Sequence, residues 1–203
     1  MIEPFTTVTG IAAPLPGANI DTDVIMPKQF LKGTDREGLA RGAFFDLRFD
    51  AAGRPRPDFI LNRLGYQDAR FLIVGPNFGC GSSREHAVWG LKQLGIRALI
   101  GTTFASIFHD NCLRNGVPPI RVSAGDIADL QALCENPGRN RLTVDLLDKV
   151  VIDANGRRIA FEMDELRRND LIKGLDAVGS TLQYADAIRS FEQAHFADNR
   201  WLA

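Results

Sequence analysis

Hydrophobic and polar positions switch between two periods along the middle of this chain, and the switches predict its elements. Phe71-Leu72-Ile73-Val74 is an unbroken apolar run that fits a buried strand. A glycine-rich stretch, Gly75–Gly81, follows it. Ser83–Leu94 then reads as a helix, with Ala87, Leu91 and Leu94 on one face and Gly95 just past its end. Arg97–Gly101 predicts a second buried strand, and Phe104–Asn115 a second helix stopped by Gly116 and Pro118-Pro119. Ile120–Val122 and Asp126–Cys134 repeat the strand-then-helix order. Such alternation argues for an α/β layer arrangement.

Punctuation elsewhere is ordinary: Gly53–Pro57, Glu135–Arg141 and the dipeptide Asn155-Gly156. The last lies between two strand-like runs, Val150–Asp153 and Arg157–Phe161, and predicts a hairpin with a type I′ turn. A late antiparallel hairpin makes the sheet mixed. Leu182–Phe196 reads as a peripheral, amphipathic closing helix. No internal repeat or low-complexity segment divides the chain, so 1–203 is expected to be a single domain.

Composition narrows the function by exclusion. The 203 residues hold 24 Lys plus Arg against 25 Asp plus Glu, a formal charge of −1. That balance speaks against a nucleic-acid-binding face or a polybasic membrane anchor. No apolar run approaches the roughly 20 residues of a membrane span, and the N-terminus lacks the regions of a signal peptide. The three cysteines, Cys80, Cys112 and Cys134, form no CxxC pair or Cys/His knuckle. A reducing, cytoplasmic setting and no metal site in this chain are the expectations.

The densest chemistry is Asn77–His86, NFGCGSSREH. Gly79 and Gly81 let the backbone turn sharply and approach a ligand. Ser82 and Ser83 add hydroxyls, Arg84 a planar fork suited to a carboxylate, and the following helix a positive end. Together they describe a pocket for a small anion. Ser82 followed three residues later by Glu85 is also a capping box, which alone accounts for both residues. Neither a dinucleotide fingerprint, a P-loop nor a GxSxG elbow is present. His86, His109 and His195 are scattered.

A second segment, Asn19–Pro27, carries Asp21-Thr22-Asp23. Its two carboxylates either orient a basic group or simply cap a turn. Lys28–Arg48 follows, rich in glycine and in cations (Lys28, Lys32, Arg36, Arg41, Arg48), as a mobile substrate loop or a plain solvated one.

Three segments converge on a family. Asn77–Ile120 resembles the core of the small subunits of 3-isopropylmalate dehydratase, Asn19–Lys32 their N-terminal signature, and Leu166–Gln183 their C-terminal one. The resemblance covers nearly the whole chain in the right order. It implies a layered β/β/α swivelling domain of the aconitase superfamily, with no cofactor of its own. The 4Fe-4S cluster is then expected on a separate large subunit, as a heterodimer or higher assembly, and the substrate is a small dicarboxylate. The implied reaction is dehydration and rehydration, from 2-isopropylmalate through the maleate to 3-isopropylmalate, in leucine biosynthesis. Cluster iron on the partner would polarise the leaving hydroxyl.

By the same mapping the base is Ser82, its alkoxide supported by loop N–H groups, the helix end and Arg84. Ser83 and Arg84 would hold a substrate carboxylate, and Asp23 would orient them. One stretch departs from the family's leucine-pathway pattern. Asp35–Phe44 reads DREGLARGAF, and Arg41 falls where aconitases place an arginine for an extra carboxylate. Arg41 therefore either points to solvent or marks a paralogue acting on methylmalate/citraconate, dimethylmalate or homoaconitate. A non-catalytic anion- or RNA-binding module is the reading from a different class.

Overall fold

The computed structural model describes residues 2–31 and 37–202. Lys32 and Arg36, counted above among the cations of the 28–48 segment, lie outside the described residues.

Among the described residues, seven strands hydrogen-bond into one sheet: β1 (Thr7–Leu15), β2 (Ala69–Val74), β3 (Ala98–Gly101), β4 (Pro119–Arg121), β5 (Arg141–Asp145), β6 (Val150–Ile152) and β7 (Arg158–Ala160). Their order is β4-β3-β2-β1-β5-β6-β7. The first four run parallel and the rest antiparallel, so the expected mixed α/β sheet is present. The helices that accompany it are α1 (Thr22–Ile25), α2 (Phe45–Arg48), α3 (His86–Gln93), α4 (Ser106–Arg114), α5 (Ala124–Cys134), α6 (Glu165–Lys173), α7 (Ala177–Leu182) and α8 (Ala185–Asp198).

The side-chain period of two divides each central strand between two cores. Leu72 and Val74 face Ala87, Val88 and Leu91 of α3 and Phe108 and Cys112 of α4. Phe71 and Ile73 face Ile127, Leu130 and Cys134 of α5 and Leu171 of α6. A run buried on both sides needs no alternation, which is why Phe71–Val74 is apolar throughout. β1 tolerates Pro14 because β5 pairs with it only over Thr7–Ile11, leaving Pro14 beside β2 alone.

Several elements differ from expectation. The first helix after the glycine-rich loop begins at His86, not Ser83. The hairpin at Asn155-Gly156 forms, but Asn155 does not take the positive φ of a type I′ turn. Gly156 alone does (φ 83°). The Asp153 carbonyl accepts from the Gly156 N–H at 3.0 Å, and the Asp153 carboxylate accepts from Asn155 and Arg157 N–H groups at 2.7 and 3.0 Å. That carboxylate favours a three-residue loop with a glycine bulge over the two-residue turn.

The described part of 28–48 is packed rather than loose: Leu39, Ala43 and Phe44 are buried. Arg48 is a strut, its Nη1 donating to the carbonyls of Ala40 and Ala43 at 2.9 and 3.2 Å. Burial lowers its pKa. The closing helix expected over Leu182–Phe196 is divided, Leu182 ending α7 and α8 running Ala185–Asp198, and α8 does not close onto the core. α8 buries no residue and leaves Phe191 and Phe196 exposed.

Candidate functional site

The loop after β1 and the loop after β2 meet at the carboxyl ends of two neighbouring parallel strands, the usual place for a ligand in an open α/β sheet. Backbone pairing fixes their register. Gly79 N–H donates to the Ile20 carbonyl at 2.8 Å, and Thr22 N–H donates to the Cys80 carbonyl at 2.8 Å. Asn19 and Asn77, both at φ 56°, are tied by an amide hydrogen bond of 2.8 Å.

Gly79 is required twice over. Its φ is 75°, and a Cβ there would stand 2.2 Å from Phe108 Cγ on α4. Gly81, at φ 96°, lets the chain reverse over Asp21 and Thr22.

Ser82 sits directly after this reversal. Its Oγ lies 3.0 Å from Thr22 Oγ1, and its N–H donates to the same oxygen at 3.1 Å. Ser83 is exposed, and its carbonyl accepts from Asn111 Nδ2 at 3.3 Å. Arg84 donates through Nη1 to Asp23 and forms an ion pair with it. The Arg84 guanidinium holds the Asp23 carboxyl below the usual range for aspartate, with Lys28 adding to the effect.

The two carboxylates of Asp21-Thr22-Asp23 thus do different jobs. Asp21 caps α1, its Oδ1 accepting from the Val24 N–H at 2.8 Å. Asp23 orients the arginine.

The capping box is not formed. Ser82 turns to Thr22, while the Glu85 carboxylate accepts from Asn115 Nδ2 at 2.6 Å. Glu85 itself occupies the cap position with no side-chain cap bond. Both Glu85 and the Ser83 carbonyl are therefore held from α4 and its cap, through Asn115 and Asn111, which are buried at 6% and 7% exposure.

Arg41 lies on a short turn, Leu39–Arg41, packed on α3. It is exposed and makes no side-chain hydrogen bond or ion pair among the described residues. The His86 ring packs against that of Trp89, tilted by 50° with centroids 4.6 Å apart, and His109 lies beside Asp110. Neither is hydrogen-bonded to Ser82.

Sequence reasoning passed over Thr22, Asn111 and Asn115. The available signal was faint: two asparagines four apart at the end of an otherwise apolar helix face, and a threonine between two noticed aspartates.

The family model of the aconitase C-terminal domain matches residues 2–125, and the model of the C-terminal domain of 3-isopropylmalate dehydratase small subunits matches residues 178–203. A Mannheimia succiniciproducens protein named 3-isopropylmalate dehydratase small subunit 1 is 60% identical over 99% of both chains.

The chain belongs to the 3-isopropylmalate dehydratase small-subunit family.

Within that family, the Salmonella typhimurium protein named 3-isopropylmalate dehydratase small subunit 2 is 54% identical, over 99% of this chain and 96% of that one. The crystal structure of 3-isopropylmalate dehydratase from Methanocaldococcus jannaschii superposes with a TM-score of 0.66 at 28% identity. It covers 92% of this chain and 99% of that one. Membership of a small-subunit family implies a large partner.

The cysteines here do not fit an iron–sulfur cluster. Cys112 and Cys134 are buried in separate cores on opposite faces of the sheet. Burial raises both thiols, that of Cys134 to about 12 with Asp153 adding to the rise. Among the described residues no three His, Cys, Asp or Glu side chains gather as a metal site.

Proposed function

We propose that this chain is the small subunit of a hydro-lyase that interconverts 2-isopropylmalate and 3-isopropylmalate, and that residues 77–86 supply its half of the active site. The cluster of this family sits on the large subunit, and the residues described above carry the remaining tasks. The observation that carries the reading is the pinning of Ser82-Ser83-Arg84 against Thr22 and Asp23. Ser82 Oγ is the base that takes the proton from the carbon next to the one losing hydroxide, and returns it on rehydration. Loop N–H groups and the Arg84 guanidinium lower the cost of a charged oxygen there. Ser83 and Arg84 receive a substrate carboxylate, with Asp23 holding the guanidinium in the plane of its fork.

Half of a site should be open on one side, and this one is. Gly81 and Ser83 are exposed. A cavity of about 510 Å³ lined by Pro14–Pro16, Asp58–Ile60 and Arg63 includes none of Ser82, Ser83 or Arg84. The active assembly is a heterodimer or a multiple of it.

Arg41 is given no substrate contact in this reading. The full-length match to isopropylmalate dehydratase small subunits favours the isopropyl substrate over the carboxylate-rich homoaconitate. The test is anaerobic co-production with a cluster-bearing large subunit, followed by assay on 2-isopropylmalate, citramalate-type acids, dimethylmalate and homocitrate-type acids. Fastest turnover on 2-isopropylmalate is the expected result. A well-formed complex inactive on all of them overturns the assignment.

A further inference from the structure

The Thr22 hydroxyl meets Ser82 at three points, and a hydroxyl carries one proton. It accepts from the Ser82 N–H at 3.1 Å, lies 3.0 Å from Ser82 Oγ and 3.3 Å from the Ser82 carbonyl oxygen. The Thr22 proton therefore goes either to the carbonyl or to Oγ. Thr22 is 1% exposed, so bulk water is not a competing partner.

Its own helix does not need the hydroxyl either, because Asp21 provides the cap of α1. The side chain is committed to a residue 60 positions away. In the first proton arrangement Thr22 donates to the carbonyl and accepts from the Ser82 hydroxyl. In the second it donates to Ser82 Oγ, and the Ser82 proton is released from Thr22.

We propose that Thr22 is a positioning residue for Ser82: its hydroxyl points its proton at Ser82 Oγ while that oxygen is unprotonated. It turns that hydroxyl proton to the Ser82 carbonyl when Oγ takes the proton from the substrate carbon, and turns it back as Oγ returns the substrate proton to carbon on rehydration. No bond other than hydrogen bonds changes at Thr22. The rotation supplies a donor to the unprotonated oxygen without moving a heavy atom, which is what preorganised stabilisation requires. This rests on the reading of Ser82 as the base.

The experiment compares Thr22→Val and Thr22→Ser with the unaltered chain, each assembled with the large subunit, measuring kcat, KM and the pH profile of kcat on 2-isopropylmalate. Amide hydrogen exchange at Ser82 is followed in the same complexes. Loss of one donor to a charged oxygen predicts a kcat about 100-fold lower for Thr22→Val, with KM within about three-fold. The acidic, ascending limb of the pH profile moves to higher pH, because the unprotonated oxygen has lost a donor, and the Ser82 amide exchanges faster. Thr22→Ser restores kcat to within about five-fold, together with the pH limb and the amide protection.

Wild-type kcat in Thr22→Val, equal losses in both variants, or a lower kcat with an unmoved pH limb would each overturn the proposal. If Thr22→Val does not assemble, Thr22→Cys, a weak donor of similar size, takes its place with the same expected ordering. An unaltered complex with no turnover removes the Ser82 reading and this proposal together. An active complex with an unimpaired Thr22→Val removes this proposal alone.

Discussion

Arg84 and Asp23 form an ion pair across the two loops that follow β2 and β1, with the arginine side chain 21% and the aspartate side chain 46% exposed. The pair spans 61 positions of sequence. In the proposed reading Arg84 also receives a substrate carboxylate, and Asp23 holds the guanidinium for it. Asp23→Asn therefore raises KM by about ten-fold with a smaller change in kcat, as expected when a binding group loses its orientation but not its charge. Steady-state kinetics of the assembled enzyme checks the split.

The same pair sets a pH dependence of stability whose sign is fixed. Asp23 has a folded-state pKa below its ordinary value of 3.8. Its contribution is complete above that value and is lost as pH falls through the folded pKa. Thermal midpoints of the unaltered chain and Asp23→Asn should differ by a constant amount above about pH 5 and converge in acid. A gap that widened on acidification would contradict the ion pair.

Ser82→Ala removes the proposed base and one hydrogen bond to Thr22. A stability loss of about 1 kcal/mol is expected from the hydrogen bond, while turnover falls by about 1,000-fold or more. The variant should fold and still bind the large subunit. Circular dichroism, co-purification and an activity assay separate the outcomes.

Gly79→Ala tests the loop itself. A methyl group would overlap the Phe108 ring at a backbone angle that disfavours any side chain. Overpacking and strain together predict a loss of about 2–4 kcal/mol, read by chemical denaturation. Wild-type stability would show that the loop re-forms elsewhere.

Arg41→Ala bears on substrate choice. An exposed residue with no partner among the described residues should change stability and turnover little, within about three-fold. A selective loss on 2-isopropylmalate with a large rise in KM would place Arg41 at a carboxylate after all.

The legible parts of the molecule were those governed by local period. Phe71–Val74, the helices through Ala87 and Phe108 and the hairpin at Asn155-Gly156 follow from spacing. So does the dense chemistry of residues 77–86. What spacing did not carry was long-range pairing. Ser82-x-x-Glu85 has the form of a capping box, but Thr22 and Asn115 compete for those two side chains and win, because both are buried polar groups that need partners. The central strand β1 was unmarked for a related reason. Its Pro14 is accommodated because β5 ends its pairing at Ile11, a long-range fact that no local pattern carries. Arg48 looked like one of several loop cations, and only the fold turns it toward the carbonyls of Ala40 and Ala43.

The central claim is that this chain supplies the base of a two-subunit hydro-lyase. Initial rates on 2-isopropylmalate should be measured for the assembled complex carrying either the unaltered chain or Ser82→Ala, at matched cluster content. Turnover by the first and a loss of about 1,000-fold in the second, with equal binding between the subunits, is the predicted result. Equal rates from the two complexes would contradict it.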